Sequence, residues 1–132
     1  MDATFLAAVK NRFPTVRFVS GRKFLFRPPK TIMIGPEEDG DELLLLHELG
    51  HFLSGHRNFG MNIERMKMEV EAWEKTRGLA AEFGIEINEE IIEGELDSYR
   101  EWIAQKSRCP KCGLARYETP DGQYHCPRCE NF

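Results

Sequence analysis

The chain has 132 residues, of which 41% are hydrophobic and 30% are charged, and this composition fits one modest domain with at most a small appendage. The formal net charge of -4 argues against a molecule that binds nucleic acid through its overall charge, although a local basic patch is compatible with it. No apolar run reaches the roughly 18 residues of a membrane span, and the N-terminus lacks a basic segment followed by an apolar one. We therefore expect a cytoplasmic protein with no membrane partner.

The chain up to about residue 106 predicts helices around a small sheet. Apolar residues at helical spacing predict a short helix over residues 3–12, which Pro14 prevents from continuing. Three short apolar runs between Val16 and Ile34, separated by glycine and proline, are typical of a mostly antiparallel sheet of about three strands. Further helices are predicted over about 41–53, 63–83 and 89–105, with Gly55 and Gly84 as stop signals and Asn88 as a cap.

An acidic run precedes the second predicted helix, with the sequence Glu37-Glu38-Asp39-Gly40-Asp41-Glu42. Such a cluster can serve as a binding patch. Acidic residues are also favoured at a helix N-terminus, where the helix dipole attracts negative charge. We interpret the run as the start of that helix.

The most informative motif is an H-E-x-x-H pattern, His47-Glu48-Leu49-Gly50-His51, which follows four consecutive leucines. On a helix, residues four apart lie on one face about one turn apart, so the two histidines can ligate one zinc ion while Glu48 reaches a metal-bound water. The alternative is a pair of surface histidines, but the leucine run predicts a helix buried on nearly every side. The motif therefore predicts a catalytic zinc with Glu48 as general base.

A catalytic zinc normally has three protein ligands, so the sequence must supply one more. His56 is the nearest candidate, but it follows His51 by five residues. The longer H-E-x-x-H-x-x-G-x-x-H pattern needs six, and it needs a glycine where this chain has Ser54. We interpret His56 as a loop or helix-end residue.

The next predicted helix offers several glutamates: Glu64, Glu69, Glu71 and Glu74. Its buried face is predicted from the apolar positions Met66, Val70, Ala72, Trp73 and Ala80. Glu69 lies within this face, where a carboxylate is costly to bury unless it is paired or bound to metal. Glu71 shares its face with lysines, as solvated residues do. We assign Glu69 as the third ligand and keep Glu71 as the alternative.

Other residues are candidates for supporting roles. Tyr99 and Arg100 on the last predicted helix can donate to a developing oxyanion, although a tyrosine on an apolar stripe is also an ordinary core residue. Gly50 has no side chain and predicts close packing beside the metal-binding helix. The strand ending at Ile34 is expected to be a sheet edge to which an extended peptide substrate can add.

All four cysteines lie in the last 24 residues, as two Cys-x-x-Cys pairs: Cys109, Cys112, Cys126 and Cys129. In a reducing compartment this spacing indicates zinc ligation and not disulfides. A Pro-Asp-Gly turn between Tyr117 and Tyr124 predicts a hairpin between the pairs. The segment is therefore predicted to be a four-cysteine zinc ribbon that stabilises a small tail. It can also dock a protein or nucleic acid, but the sequence implies neither.

The segment from His47 to His56, followed by Glu69-Val70-Glu71-Ala72, resembles the ImmA/IrrE-type zinc metallopeptidases. That family typically combines an H-E-x-x-H helix with a later E-x-x-A-[ND] helix that carries the third ligand. The resemblance covers about residues 30–83 and places Glu69 at the ligand position, but Trp73 stands where the family has Asn or Asp. It implies a compact gluzincin-like fold, often phage-associated, whose substrate is a cytosolic regulatory protein such as a transcriptional repressor.

We therefore expect an α+β chain: a small zincin-like domain over residues 1–106, with a short antiparallel sheet and three to four helices, followed by a zinc ribbon over residues 107–132. The expected function is zinc-dependent hydrolysis of a peptide bond, with one catalytic and one structural zinc. Its catalytic residues are expected to be Glu48 and Tyr99.

Two alternatives stay open. A SprT-like protease, which acts on DNA-bound protein, also joins an H-E-x-x-H helix to a zinc ribbon. Its third ligand is usually a histidine well downstream, however, and no histidine lies between His56 and His125. The alternative from another class is a non-catalytic, zinc-stabilised module that binds protein or DNA.

Overall fold

The computed structural model describes residues 1–36 and 41–130. Four helices and two small sheets occur in these ranges: α1 (Ala3–Arg12), β1 (Arg17–Ser20), β2 (Leu25–Arg27), β3 (Thr31–Ile34), α2 (Asp41–Leu53), α3 (Asn62–Phe83), α4 (Glu89–Ser107), β4 (Tyr117–Glu118) and β5 (Tyr124–His125). The predicted α+β class is confirmed. None of the described helices carries an apolar stretch long enough to cross a bilayer.

The first sheet is mixed, with the strand order β1-β3-β2. Strand β3 pairs in parallel with β1 and antiparallel with β2, so the expectation of an antiparallel sheet holds for only one of the two pairings. The expectation that the strand ending at Ile34 forms an edge is wrong, because β3 is the central strand. Its Ile32 is fully buried, and a strand paired on both sides offers no open edge.

The chain divides into two compact units, of which the first comprises Met1–Arg57 and Val70–Ile87. Its core is built from the following residues of α1, the turn after it, the first sheet, α2 and the second half of α3: Val9, Phe13, Val16, Ile32, Leu45, Leu46, Leu49, Leu79 and Ala80. Helix α2 is buried along most of its length, as the leucine run predicts, and only Leu44 and Leu53 of its leucines are exposed. The H-E-x-x-H motif is therefore carried by a helix fixed in the core.

The predicted helix ends are also observed. Asn88 caps α4 by accepting a hydrogen bond from the backbone N–H of Glu90 at 3.0 Å. Gly55 and Gly84 have φ of +66° and +68°, the left-handed backbone that commonly ends a helix. Asp41 opens α2, while residues 37–40 of the predicted acidic helix start lie outside the described residues.

The second unit comprises Asn58–Glu69 and the chain from Asn88 onward. Strands β4 and β5 form the predicted antiparallel hairpin. Glu118 of β4 accepts hydrogen bonds from the backbone N–H groups of Asn62 at 2.7 Å and Ile63 at 3.2 Å. These N–H groups have no partner within their own helix, so the hairpin supplies the cap of α3. The predicted domain boundary after residue 106 stays a prediction.

Candidate metal sites

The H-E-x-x-H helix and α3 bring three candidate ligands together. One ligand atom from each of His47, His51 and Glu69 lies within 4.8 Å of the others. Three atoms bound to one zinc at 2.0–2.2 Å would lie about 3.5 Å apart, so small side-chain adjustments suffice to hold the ion. His47 and Glu69 are only 8% and 9% exposed, and a buried carboxylate beside two imidazoles suits a cation. The group can bind a metal ion and is consistent with zinc.

The position of Glu69 follows from the continuity of α3. The division between the two compact units falls between Glu69 and Val70, inside an unbroken helix. Glu69 is therefore held in helical register with Ala72 and Trp73, which are both buried in the first unit.

Glu71, the alternative third ligand, has a different environment. Its side chain is 53% exposed, and its Oε2 lies 2.9 Å from Nε2 of His56. Glu71 is not a member of the metal-binding group found among the described residues. The geometry therefore favours Glu69 as the third ligand.

One residue of the predicted buried face of α3 is misplaced. Val70 is 39% exposed, while Thr76 and Leu79 are buried. The buried face runs through residues 69, 72, 73, 76, 79 and 80, which follow helical spacing from Glu69. Val70 was expected to be buried because it is hydrophobic. Helical spacing from Glu69 instead passes through Thr76, a polar residue, and leaves Val70 on the exposed side of α3.

Gly50 lies where α2 and α3 meet. A Cβ atom at Gly50 would be 2.3 Å from the backbone oxygen of Ala72 and 3.0 Å from Oγ1 of Thr76. No real side chain tolerates such a contact with a carbonyl group, so only glycine allows this approach. The expected close packing at Gly50 is confirmed.

Trp73 contacts the first histidine of the motif. Its ring stacks on His47 with centroids 3.9 Å apart and an interplanar angle of 19°. Trp73 is almost completely buried, so this ring fixes the plane of His47. Trp73 stands where the ImmA/IrrE-type pattern has Asn or Asp, and here it orients His47, a candidate metal ligand, by stacking on its ring.

His56 is buried and contacts the second histidine of the motif. Its Nδ1 lies 2.9 Å from Nδ1 of His51. The backbone explains this position, because the His56 N–H donates to the His51 carbonyl at 3.1 Å and the Gly55 N–H to the Phe52 carbonyl at 3.0 Å. These two bonds form a Schellman motif, which folds the residue after the glycine back over the last turn. The signal for this contact in the sequence is Gly55 immediately before His56.

Tyr99 of α4 lies beside the third ligand candidate. Burial raises the pKa of its phenol above 10, and the charge of Glu69 raises it further, while Arg65 acts in the opposite direction. The phenol lies near the side chains of both Glu69 and Arg65, and the Arg65 guanidinium lies 5.4 Å from the centre of the Tyr99 ring. Arg100, the other candidate donor, is paired with Glu93 and Asp97 on its own helix. Tyr99 is thus the one of the two that contacts the metal-binding group.

The four cysteines form the second group, with sulfur atoms within 4.8 Å of one another: Cys109, Cys112, Cys126 and Cys129. The sulfurs of Cys112 and Cys126 are 3.6 Å apart, close to the roughly 3.8 Å between two thiolates of a tetrahedral zinc site and far beyond a disulfide bond. All four are free thiols. The group can bind a metal ion and is consistent with zinc.

The pKa values of two of the cysteine thiols also indicate that a cation would be needed to keep all four thiols ionised. Although burial acts to raise the pKa of Cys109, backbone N–H groups of Cys112 and Lys111 lower it to about 6. Burial and the neighbouring thiols raise the pKa of Cys129 to about 12. Without a cation, four thiolates do not coexist here at neutral pH. A bound zinc ion would compensate their charge.

No protein family is matched by this chain, and comparisons with curated proteins and with solved structures found no match either. The resemblance to the ImmA/IrrE-type metallopeptidases therefore depends on the motif residues alone. The function has to be argued from the two metal-binding groups.

Proposed function

We propose that the chain is a zinc-dependent metallopeptidase of the ImmA/IrrE type that hydrolyses a peptide bond in a cytosolic regulatory protein. The proposal depends on one observation: the ligand atoms of His47, His51 and Glu69 lie close together. The two histidines are on α2, which also bears Glu48, and Glu69 is on α3. Three protein ligands leave one coordination position for water or substrate, as catalytic zinc sites do.

A bound zinc ion would acidify a coordinated water and polarise the substrate carbonyl. Glu48 would serve as general base and accept a proton from the water that adds to the carbonyl carbon. It would return this proton to the amide nitrogen as the C–N bond breaks, so that Glu48 is a carboxylate again at the end of the reaction. Glu48 follows His47 directly on α2 and is partly exposed, which suits a group that exchanges protons with a substrate entering from solvent.

Two aromatic side chains support the proposed ligands. Trp73 stacks on His47, and the phenol of Tyr99 lies near Glu69. The raised pKa of Tyr99 keeps its phenol protonated, so that it can donate a hydrogen bond to the carboxylate. This contact favours a positioning role for Tyr99. Donation to an oxyanion stays a prediction, which would require the phenol to exchange its partner when substrate binds.

The substrate segment is proposed to be an extended peptide. Strand β2 pairs only with β3 among the described strands, which leaves its other side as an edge. Phe26 of β2 stacks parallel to His51, with centroids 6.4 Å apart. A peptide that adds to β2 would therefore run past the metal-binding group. This edge replaces the strand ending at Ile34 as the proposed binding site.

Zinc content and cleavage together test the proposal. Wild type and Glu48→Gln should each contain about two zinc ions per chain, and only wild type should cleave a randomised, internally quenched peptide library. Glu42→Gln, in the first turn of the same helix, is the matched control and should cleave like wild type. His47→Ala should contain about one zinc ion and be inactive.

Equal cleavage by wild type and Glu48→Gln would refute the mechanism. A single zinc ion in both wild type and His47→Ala would leave the ribbon as the only metal site, and a non-catalytic binding module would then be the better explanation. Cleavage that occurs only when DNA is added would favour the SprT-like alternative.

A further inference from the structure

A buried histidine that the proposed chemistry does not use links the metal-binding group to the surface. His56 Nδ1 is 2.9 Å from His51 Nδ1, and His56 Nε2 is 2.9 Å from Glu71 Oε2. The His56 side chain is 7% exposed, whereas that of Glu71 is 53% exposed. A continuous chain of hydrogen bonds therefore leads from a surface carboxylate to one imidazole of the H-E-x-x-H motif.

The donors and acceptors along this chain determine which nitrogen of His51 carries the hydrogen. An ionised carboxylate only accepts, so His56 Nε2 carries the hydrogen that it donates to Glu71. The Nδ1 of a neutral His56 is then an acceptor, and the contact with His51 requires a hydrogen on His51 Nδ1. The remaining lone pair of His51 is on Nε2, where a metal ion can bind it.

The opposite arrangement would block the metal site. If a neutral His56 carried its hydrogen on Nδ1, His51 Nδ1 would have to accept and its Nε2 would carry the hydrogen. A protonated Nε2 cannot ligate zinc. The Glu71 carboxylate disfavours this arrangement, because His56 Nε2 would then present a lone pair to it instead of a hydrogen.

We propose that His56 and Glu71 are positioning residues that fix the tautomer and the ring orientation of His51, so that Nε2 is presented to the metal. The inference rests on the metal site of the proposed function but not on hydrolysis. The Schellman motif at the end of α2 places His56 by its backbone, and Phe26 stacks parallel to the His51 ring. The two motif histidines are thus held by different means, His47 by stacking and His51 by a hydrogen-bonded relay.

Zinc affinity at the histidine group is the first readout, measured by chelator competition on chains whose ribbon is already loaded. His56→Leu keeps the site buried but removes the acceptor, and it should weaken zinc binding about 10-fold to 100-fold, as loss of an outer-shell partner typically does. His56→Asn places an amide oxygen near the position of Nδ1 and should recover most of the affinity. Glu71→Ala should weaken binding, and Glu71→Gln, which keeps an acceptor, should weaken it less.

The matched control is Glu74→Gln, since Glu74 lies on the same helix, is exposed and pairs with Arg77 instead. It should leave the zinc affinity unchanged. The second readout is the two-bond ¹H–¹⁵N correlation spectrum of the histidine rings in the zinc-loaded chain. We expect His51 to be ligated through Nε2 and protonated at Nδ1.

Ligation of His51 through Nδ1 would overturn the inference, and so would a zinc affinity of His56→Leu within about twofold of wild type. If His56→Leu fails to fold, the zinc affinity of Glu71→Ala and the ring spectrum still decide. A wild-type chain without a second zinc would overturn this inference together with the proposed function. Zinc binding with the expected losses but without peptide cleavage would sustain this inference and refute only the proposed peptidase.

Discussion

Substitution of Gly50 by alanine should push apart the two helices that carry the candidate ligands. The added Cβ would lie 2.3 Å from the Ala72 carbonyl oxygen, about 1 Å closer than the shortest ordinary contact between a carbon and a carbonyl oxygen. That carbonyl has little freedom to turn away, because it also accepts a hydrogen bond from Oγ1 of Thr76 at 2.7 Å. The strain must therefore be relieved by a shift of α2 against α3 of about 1 Å.

Two opposing terms set the size of the effect. Overpacking of a tight contact costs about 1–3 kcal/mol, and a backbone obstacle places Gly50→Ala near the upper end. Alanine is the better helix former by about 1 kcal/mol, which offsets part of this cost. We expect a net loss of about 2 kcal/mol in the free energy of unfolding.

Urea denaturation of the metal-free chain measures the stability, with Gly78→Ala as the matched control. Gly78 lies inside α3 with open space around its would-be Cβ, so alanine there should stabilise the chain by up to about 1 kcal/mol. Gly50→Ala should also weaken zinc binding at the histidine group, because metal–ligand distances tolerate only about 0.2 Å of error. Equal stability and equal zinc affinity of the two variants would refute this reasoning.

Three further predictions concern the second unit. In the zinc-free chain Tyr99 should titrate above pH 10, because burial and Glu69 raise its pKa. Zinc loading should lower this pKa, because the ion offsets the charge of Glu69. The difference in tyrosinate absorbance between wild type and Tyr99→Phe measures the pKa with and without zinc. The stability that the raised pKa contributes is present below pH 10 and is lost as the pH rises through the folded pKa. Glu118→Ala should cost about 0.5–2 kcal/mol in urea denaturation by removing the cap of α3, whereas Glu101→Ala on the exposed face of α4 should have no effect. Cys112→Ser should reduce the zinc content by about one ion per chain and should remove hydrogen-exchange protection from the β4–β5 hairpin. A variant that keeps its zinc content and its protection would contradict the ribbon assignment.

The sequence was sufficient wherever the determining interactions are local. The bounds of α1 and α2 agree with the prediction, and those of α3 and α4 differ by one or two residues. Their signals are short-range: an Asn88 cap, glycines at helix ends and a leucine run that only a buried helix accommodates. The grouping of both Cys-x-x-Cys pairs was likewise predictable, because the spacing itself constrains the geometry of the ligands.

Strand order and the fine placement of side chains were less accessible. Alternation of apolar residues reports which face of a strand is buried but not which strand lies beside it, so the central position of β3 could not be read from Ile32 and its neighbours. Val70 was misassigned because the packing of whole helices overrode its hydrophobicity. His56 was treated as a loop residue although Gly55 signalled the turn that folds it onto His51. Gly55 was interpreted only as the end of α2, and the contact that its turn gives to His56 was therefore missed.

The cap that Glu118 gives to α3 ties the ribbon to the helix that bears Glu69. Asn62, whose N–H the cap accepts, precedes Glu69 by seven residues, or about two helical turns. Without metal the ribbon should lose the bonds that hold it folded. The first turn of α3 would then lose Glu118 as its hydrogen-bond acceptor, and the helix should unwind from this end toward Glu69. Under zinc scarcity the four-thiolate group should therefore fill first, and stepwise titration of the metal-free chain would show this order. Oxidation of the thiols should then weaken metal binding at the histidine group, although none of the cysteines belongs to that group.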